Sequence, residues 1–94
     1  MTLEFEWHER KSLGNAGKHG VSFDEAKTVF NDPFALTQAD PDHSTDEEQW
    51  LEMGLSAAGR LLVVWYTVRS GVIRIIGARP ATSAEARHYI DERS

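Results

Sequence analysis

Two stretches of this chain hold the residue types best suited to chemistry: Lys18-His19-Gly20-Val21-Ser22-Phe23-Asp24-Glu25-Ala26 and Arg74-Ile75-Ile76-Gly77-Ala78-Arg79. Guanidinium groups such as Arg74 and Arg79 bind phosphate through paired hydrogen bonds, and an imidazole such as His19 exchanges protons near neutral pH. With Lys18 as an added cation, the set suits binding and cleavage of a phosphodiester. Structural roles compete. Lys18 and His19 close a helix, where the backbone dipole alone favours cations. Arg74 interrupts the apolar strand Val72-Ile73-Arg74-Ile75-Ile76, so it must meet solvent, an acid or a ligand, and a cross-strand salt bridge would satisfy it. Regular alternation puts Arg74 and Arg79 on opposite faces, whereas a bend or bulge near Gly77 would bring them to one side. Tyr66 and Tyr89 are able to stack on a base or to serve as core aromatics, and Trp7, Trp50 and Trp65 belong to the core or to a partner surface.

Other chemistries find little support. The chain has no cysteine, and His8, His43 and His88 lack metal-ligand spacing, so no metal site or cofactor is expected. There is no glycine-rich phosphate loop and no Ser/His/Asp order suggesting acyl transfer.

The elements that must position these residues follow from periodicity and punctuation. Leu3 to Trp7 alternates apolar and acidic residues as a strand. Residues 9–18 form a helix weakened by Gly14 and Gly17 and ended by Gly20 in a left-handed conformation. Ser22 with Glu25 makes a capping box, after which Phe23, Ala26, Val29 and Phe30 share one helical face until Asn31-Asp32-Pro33. Strands are expected over Phe34 to Ala39, Gln49 to Leu55, Leu61 to Val68 and Val72 to Ala78, with Leu61 to Val68 central and a tight turn at Ser70-Gly71. Asp40 to Glu48 is an acidic loop, and Thr82 with Glu85 caps a last helix reaching about Glu92. The fold class is α+β, ordered β-α-α-β-β-β-β-α, with an antiparallel sheet and the helices on one face.

The 94 residues suit a single domain, 1–94, with one modest core. No apolar run is long enough to cross a bilayer and no signal-peptide pattern opens the chain, so a cytoplasmic location without membrane contact is expected. The net charge of −5 counts against a nucleic-acid partner, but it is unevenly distributed. Residues 21–59 carry nine acids and one base, and residues 60–94 carry six arginines and three acids. The acidic middle is either a solvated loop or a docking surface for a basic partner.

Across nearly its whole length the sequence carries a familiar pattern. Phe5-Glu6-Trp7, Lys11 and Asn15 open it. Lys18 to Ala26 follows, with Val29-Phe30-Asn31-Asp32-Pro33 behind. Arg60-Leu61-Leu62-Val63-Val64, Arg74-Ile75-Ile76, Ala78-Arg79, Ala81-Thr82, Glu85 and Tyr89 complete it. In this order the chain resembles the BrnT toxins of bacterial toxin–antitoxin pairs. The resemblance implies a RelE-like fold, a ribonuclease that arrests translation, and neutralisation by a cognate BrnA antitoxin bearing a ribbon-helix-helix DNA-binding domain. The leading expectation is a metal-independent endoribonuclease: Arg74 and Arg79 on the phosphate, His19 in proton transfer, Tyr66 in base stacking or positioning, and Lys18, Arg60 and Tyr89 as RNA contacts. The competing expectation is a non-catalytic corepressor that holds a DNA-binding partner.

Overall fold

The longest run of β-branched and aromatic residues forms the middle of the sheet. In the computed structural model, which describes residues 2–43 and 47–93, the elements are β1 (Glu4–Glu6), α1 (Glu9–His19), α2 (Phe23–Ala26), a 3-10 turn (Lys27–Asn31), β2 (Leu36–Ala39), β3 (Trp50–Leu55), β4 (Leu61–Arg69), β5 (Val72–Pro80) and α3 (Ser83–Arg93). The strands lie in the order β1-β5-β4-β3-β2, so β4 has two strands on each side. Leu62 and Val64 are fully buried and Val63 nearly so, as expected of a strand covered on both faces.

Two expectations about the sheet need correction. It is mixed, not antiparallel: β2 to β5 run antiparallel through short connections, but β1 pairs in parallel with β5, with Phe5 opposite Ile73. Only strands joined by tight turns are bound to alternate, and β1 meets its partner across most of the chain's length. The helices also do not share one face. Val21, Phe23, Ala26 and Val29 cover Leu62, Val64, Tyr66, Ile73, Ile75 and Ala78 on the first face. Tyr89 of α3 packs with Met53 and Val63 on the second.

Local signals explain most element ends. Gly20 takes φ 71°, and its N–H donates to the Ala16 carbonyl at 2.9 Å, ending α1. The Thr82–Glu85 capping box is complete: the Glu85 carboxylate accepts from Thr82 N–H at 2.8 Å and Thr82 Oγ1 from Glu85 N–H at 3.2 Å. The Ser22–Glu25 box is half-formed. Ser22 Oγ accepts from Glu25 N–H at 3.1 Å, but the Glu25 carboxylate turns instead to Arg60 and Ser56. The helix expected to run on to Asn31 is four residues of α-helix followed by the 3-10 turn. The α1 helix lacks an apolar stripe, and Leu13 is exposed. It is held by hydrogen bonds: buried Ser12 accepts from Phe23 N–H at 3.0 Å, and Asn15 donates to the Val21 and Ala78 carbonyls at 2.8 Å each. The acidic segment contains a 3-10 turn at Pro41–His43. Its centre, 44–46 with Asp46, lies outside the described residues, as do Met1 and Ser94. No helix among the described residues is long and apolar enough to cross a membrane.

Val64 lies at the centre of this sheet with no exposed surface. Val64→Asp buries an unpaired charge at a cost of several kcal/mol against a total stability of about 5–15. Circular dichroism should find the variant unfolded or melting far below the wild type; an unchanged melting temperature would place this strand outside the core.

Candidate active site

One irregularity in the sheet decides where the arginines point. Opposite β4, Trp65 pairs with Gly77 but Tyr66 pairs with Ile75, so β5 carries one extra residue at Ile76. The consequence shows in the core. Ile73, Ile75 and Ala78 all face the first side, two and then three residues apart. Arg74 and Arg79, which regular alternation would separate, therefore share the second face. Arg79 lies opposite Val63 and Arg74 opposite Thr67.

The bulge is matched by a residue that sequence reasoning left among generic aromatics. The indole of Trp65 lies so close over Gly77 that a Cβ added there would sit 2.2 Å from the ring. Only glycine admits this stacking, and the ring covers the strand where its own side chain is missing. The His19 ring meets Trp65 edge-on, with centroids 6.5 Å apart. Asn15 holds α1 to this part of β5, bonding both the N–H and the carbonyl of Ala78. Trp65 also borders an open pocket of about 390 Å³ with Arg79, Leu51, Gln49 and Asp40. Trp65 thus meets His19 and shares a pocket with Arg79, while Arg74 lies on the same sheet face opposite Thr67 and Lys18 is exposed beside His19 on α1.

Arg79 is fixed at two points. It binds the Glu85 carboxylate through both terminal nitrogens, at 2.8 and 2.9 Å, and donates to the Pro80 carbonyl at 3.2 Å. The guanidinium holds the Glu85 carboxyl down at about 2, against an ordinary 4.5, with the Thr82 bonds adding to the effect. Arg74 is held more loosely, 3.6 Å from Glu6. Its cross-strand neighbour Thr67 is buried, with an Oγ1 that finds no hydrogen-bond partner among the described residues.

The other expected site residues are elsewhere. Tyr66 lies in the core of the first face, 7% exposed, with its hydroxyl donating to Glu52 at 3.1 Å. Burial first, and the nearby Glu52 charge second, push its ionisation well above the ordinary phenol range. A ring packed edge-on against Phe30 in that core offers no face to a base, which corrects the stacking expectation. Glu52 is itself pushed up by burial, despite bonds from Thr37 and Tyr66. Tyr89 is 2% exposed and donates its hydroxyl to Asp32, so it fastens α3 and presents no surface to RNA. Arg60 is engaged at the α1–α2 corner, where it pairs with Glu25 and donates to the Gly20 carbonyl at 2.8 Å. Among the described residues no group of three or more His, Asp or Glu side chains is placed to hold a metal ion.

A family model described as "Ribonuclease toxin, BrnT, of type II toxin-antitoxin system" matches residues 7–85. Among solved structures, the 1.1 Å crystal structure of the Brucella abortus ribonuclease toxin BrnT superposes with a TM-score of 0.62, covering 87% of this chain and all of that one at 20% identity. No curated protein sequence matches.

The Arg79–Glu85 pair gives a pH signature. Because the Glu85 carboxyl is lowered in the folded state, its contribution is present above about 4.5 and is lost as pH falls towards about 2. Glu85→Gln should cost roughly 1–2 kcal/mol at neutral pH, allowing for partial solvent screening. Urea melts of the two proteins should differ at pH 7 and converge across that acid window; a constant difference down to the lowest pH would show that the pair carries no such linkage.

Proposed function

The chain belongs to the BrnT family of ribonuclease toxins of type II toxin–antitoxin systems, and on that premise we propose that it cleaves RNA without a metal ion on the sheet face bearing Arg74 and Arg79. The observation that carries this reading is the bulge at Ile76, which turns both guanidiniums to the side where His19 and Trp65 meet. RNA carries its own nucleophile. Its 2′-oxygen forms a bond to the adjacent phosphorus as the bond to the 5′-oxygen breaks. One proton must leave the 2′-hydroxyl and one must reach the departing 5′-oxygen. In our reading Arg74 and Arg79 stabilise the charge that grows on the phosphate, and they do so without changing protonation. His19, whose imidazole meets Trp65, handles a proton. Trp65 offers the π-face for a base that Tyr66 and Tyr89 do not, and Lys18 steadies the RNA backbone.

The family implies an antitoxin partner. We further propose that this partner is a BrnA-like ribbon-helix-helix protein masking the arginine face, and that RNA cleavage arrests translation in the cytoplasm. A RelE-like kinship of fold belongs to the same reading, with residues 1–94 acting as one toxin domain.

Cleavage of purified RNA by the isolated chain, with and without EDTA, tests the reading. Activity should persist in EDTA, and Arg79→Ala should lower it about a hundredfold, the usual scale for one preorganised charge donor. The same substitution should cost only about 1 kcal/mol of stability, since the pair it breaks is one-third exposed. A folded Arg79→Ala protein that cuts RNA at the wild-type rate would remove Arg79 from the site, and a wild type without activity would favour the non-catalytic corepressor.

A further inference from the structure

A third arginine lies on the same face as Arg74 and Arg79. On β4, Tyr66 faces the covered side, so Thr67 and then Arg69 face the other, where Arg69 stands opposite Val72 at the hairpin end. The three guanidiniums mark a line from this hairpin to the far end of β5, roughly 20 Å along the strands. Each is matched by a carboxylate from a different part of the chain: Glu47 ahead of β3, Glu6 on β1 and Glu85 on α3.

These three acids are not equivalent. Glu85 is built into the first turn of α3, where it also accepts from Thr82 N–H. Glu6 stands 3.6 Å from Arg74. Glu47 grips Arg69 in fork geometry, accepting from Nε at 2.7 Å and from Nη2 at 2.6 Å, and among the described residues it bonds nothing else. That two-point grip is the arrangement a guanidinium offers a phosphate. Both partners are open to solvent, with side-chain exposures of 53% for Arg69 and 37% for Glu47. An exposed pair of this kind is weakly held. Glu47 also lies in the field of Arg74, and Arg69 in that of Glu6, so the charges at this end of the face act as one group.

Resting on the ribonuclease reading above, we propose that Arg69 is a further contact for the RNA backbone and that Glu47 occupies it in the free protein, standing where a phosphate binds. An incoming phosphodiester, also singly charged, replaces the carboxylate at Arg69 without leaving an unpaired cation. Glu47 is therefore a brake on RNA affinity as well as a tie between the acidic segment and the sheet. This accounts for how a chain of net charge −5 can offer a row of arginines to a polyanion.

The test is binding of a single-stranded 2′-O-methyl RNA, which the protein cannot cleave, measured by fluorescence anisotropy at low salt. Glu47→Gln should bind roughly fivefold more tightly than wild type, the scale of one exposed ion pair. Glu48→Gln, the same charge change at the exposed neighbouring position, should gain much less. The gain should vanish in Glu47→Gln/Arg69→Ala, and Arg69→Ala alone should reduce the salt slope by about 0.7, the value for one single-strand phosphate contact. Equal effects of Glu47→Gln and Glu48→Gln, a gain that survives loss of Arg69, or no RNA binding by any variant would each overturn the proposal. Cleavage of unmodified RNA by the wild type is scored separately. If the binding pattern holds and no cleavage occurs, the brake stands and the ribonuclease reading falls.

Discussion

A single inserted residue in β5 sets the character of this protein. Without the bulge at Ile76, the register that places Trp65 opposite Gly77 would continue unbroken, and Arg74 and Arg79 would point to opposite sides of the sheet. One of them would then enter the apolar core built by Val21, Phe23 and Val29, where an unpaired guanidinium is not tolerated. The bulge resolves this conflict. It lets Ile73, Ile75 and Ala78 all enter the core while both arginines stay on the open face. Gly77 and Trp65 make the solution possible, since the indole lies where any larger residue would place its Cβ.

Polar bonds hold the elements that frame this face. Tyr89 is the buried residue of α3, so the helix has little apolar surface with which to dock. It is fastened at its first turn by Arg79 on Glu85, and further along by Tyr89 on Asp32. Asp32 also accepts from the backbone N–H groups of Phe34 and Leu55, tying the end of the 3-10 turn to β3. Burial alone would raise the Asp32 carboxyl, but these three bonds and the Arg93 charge hold it below its ordinary value. Arg79 therefore has two duties, positioning α3 and facing the pocket. Arg60 shows the other outcome, a conspicuous cation taken up by the joint between Gly20 and Glu25.

The local signals were legible in the sequence where one residue's chemistry decides the outcome. Gly20 ends α1, Thr82 and Glu85 cap α3, and the uninterrupted run from Leu61 forms the central strand. What was hidden is what depends on distant partners. The parallel pairing of β1 and the far-side position of α3 arise from contacts across the whole chain. The site was legible to the same extent. The arginines and His19 were visible by type, and a bulge near Gly77 was one of two open readings. Trp65 was not singled out, although its signal was the glycine facing it across the hairpin. Tyr66 and Tyr89 were misplaced because an aromatic residue in a strand or helix reads the same whether its ring faces core or ligand.

The bulge puts Arg74 and Arg79 on one face, and in the proposed reading they act on RNA together. Single-turnover cleavage of RNA by Arg74→Ala, Arg79→Ala and the double variant tests it directly. If the two act together on one phosphate, each single change should remove about two orders of magnitude and the double should fall little further. Losses that multiply to about four orders of magnitude, or an Arg74→Ala protein at the wild-type rate, would contradict it.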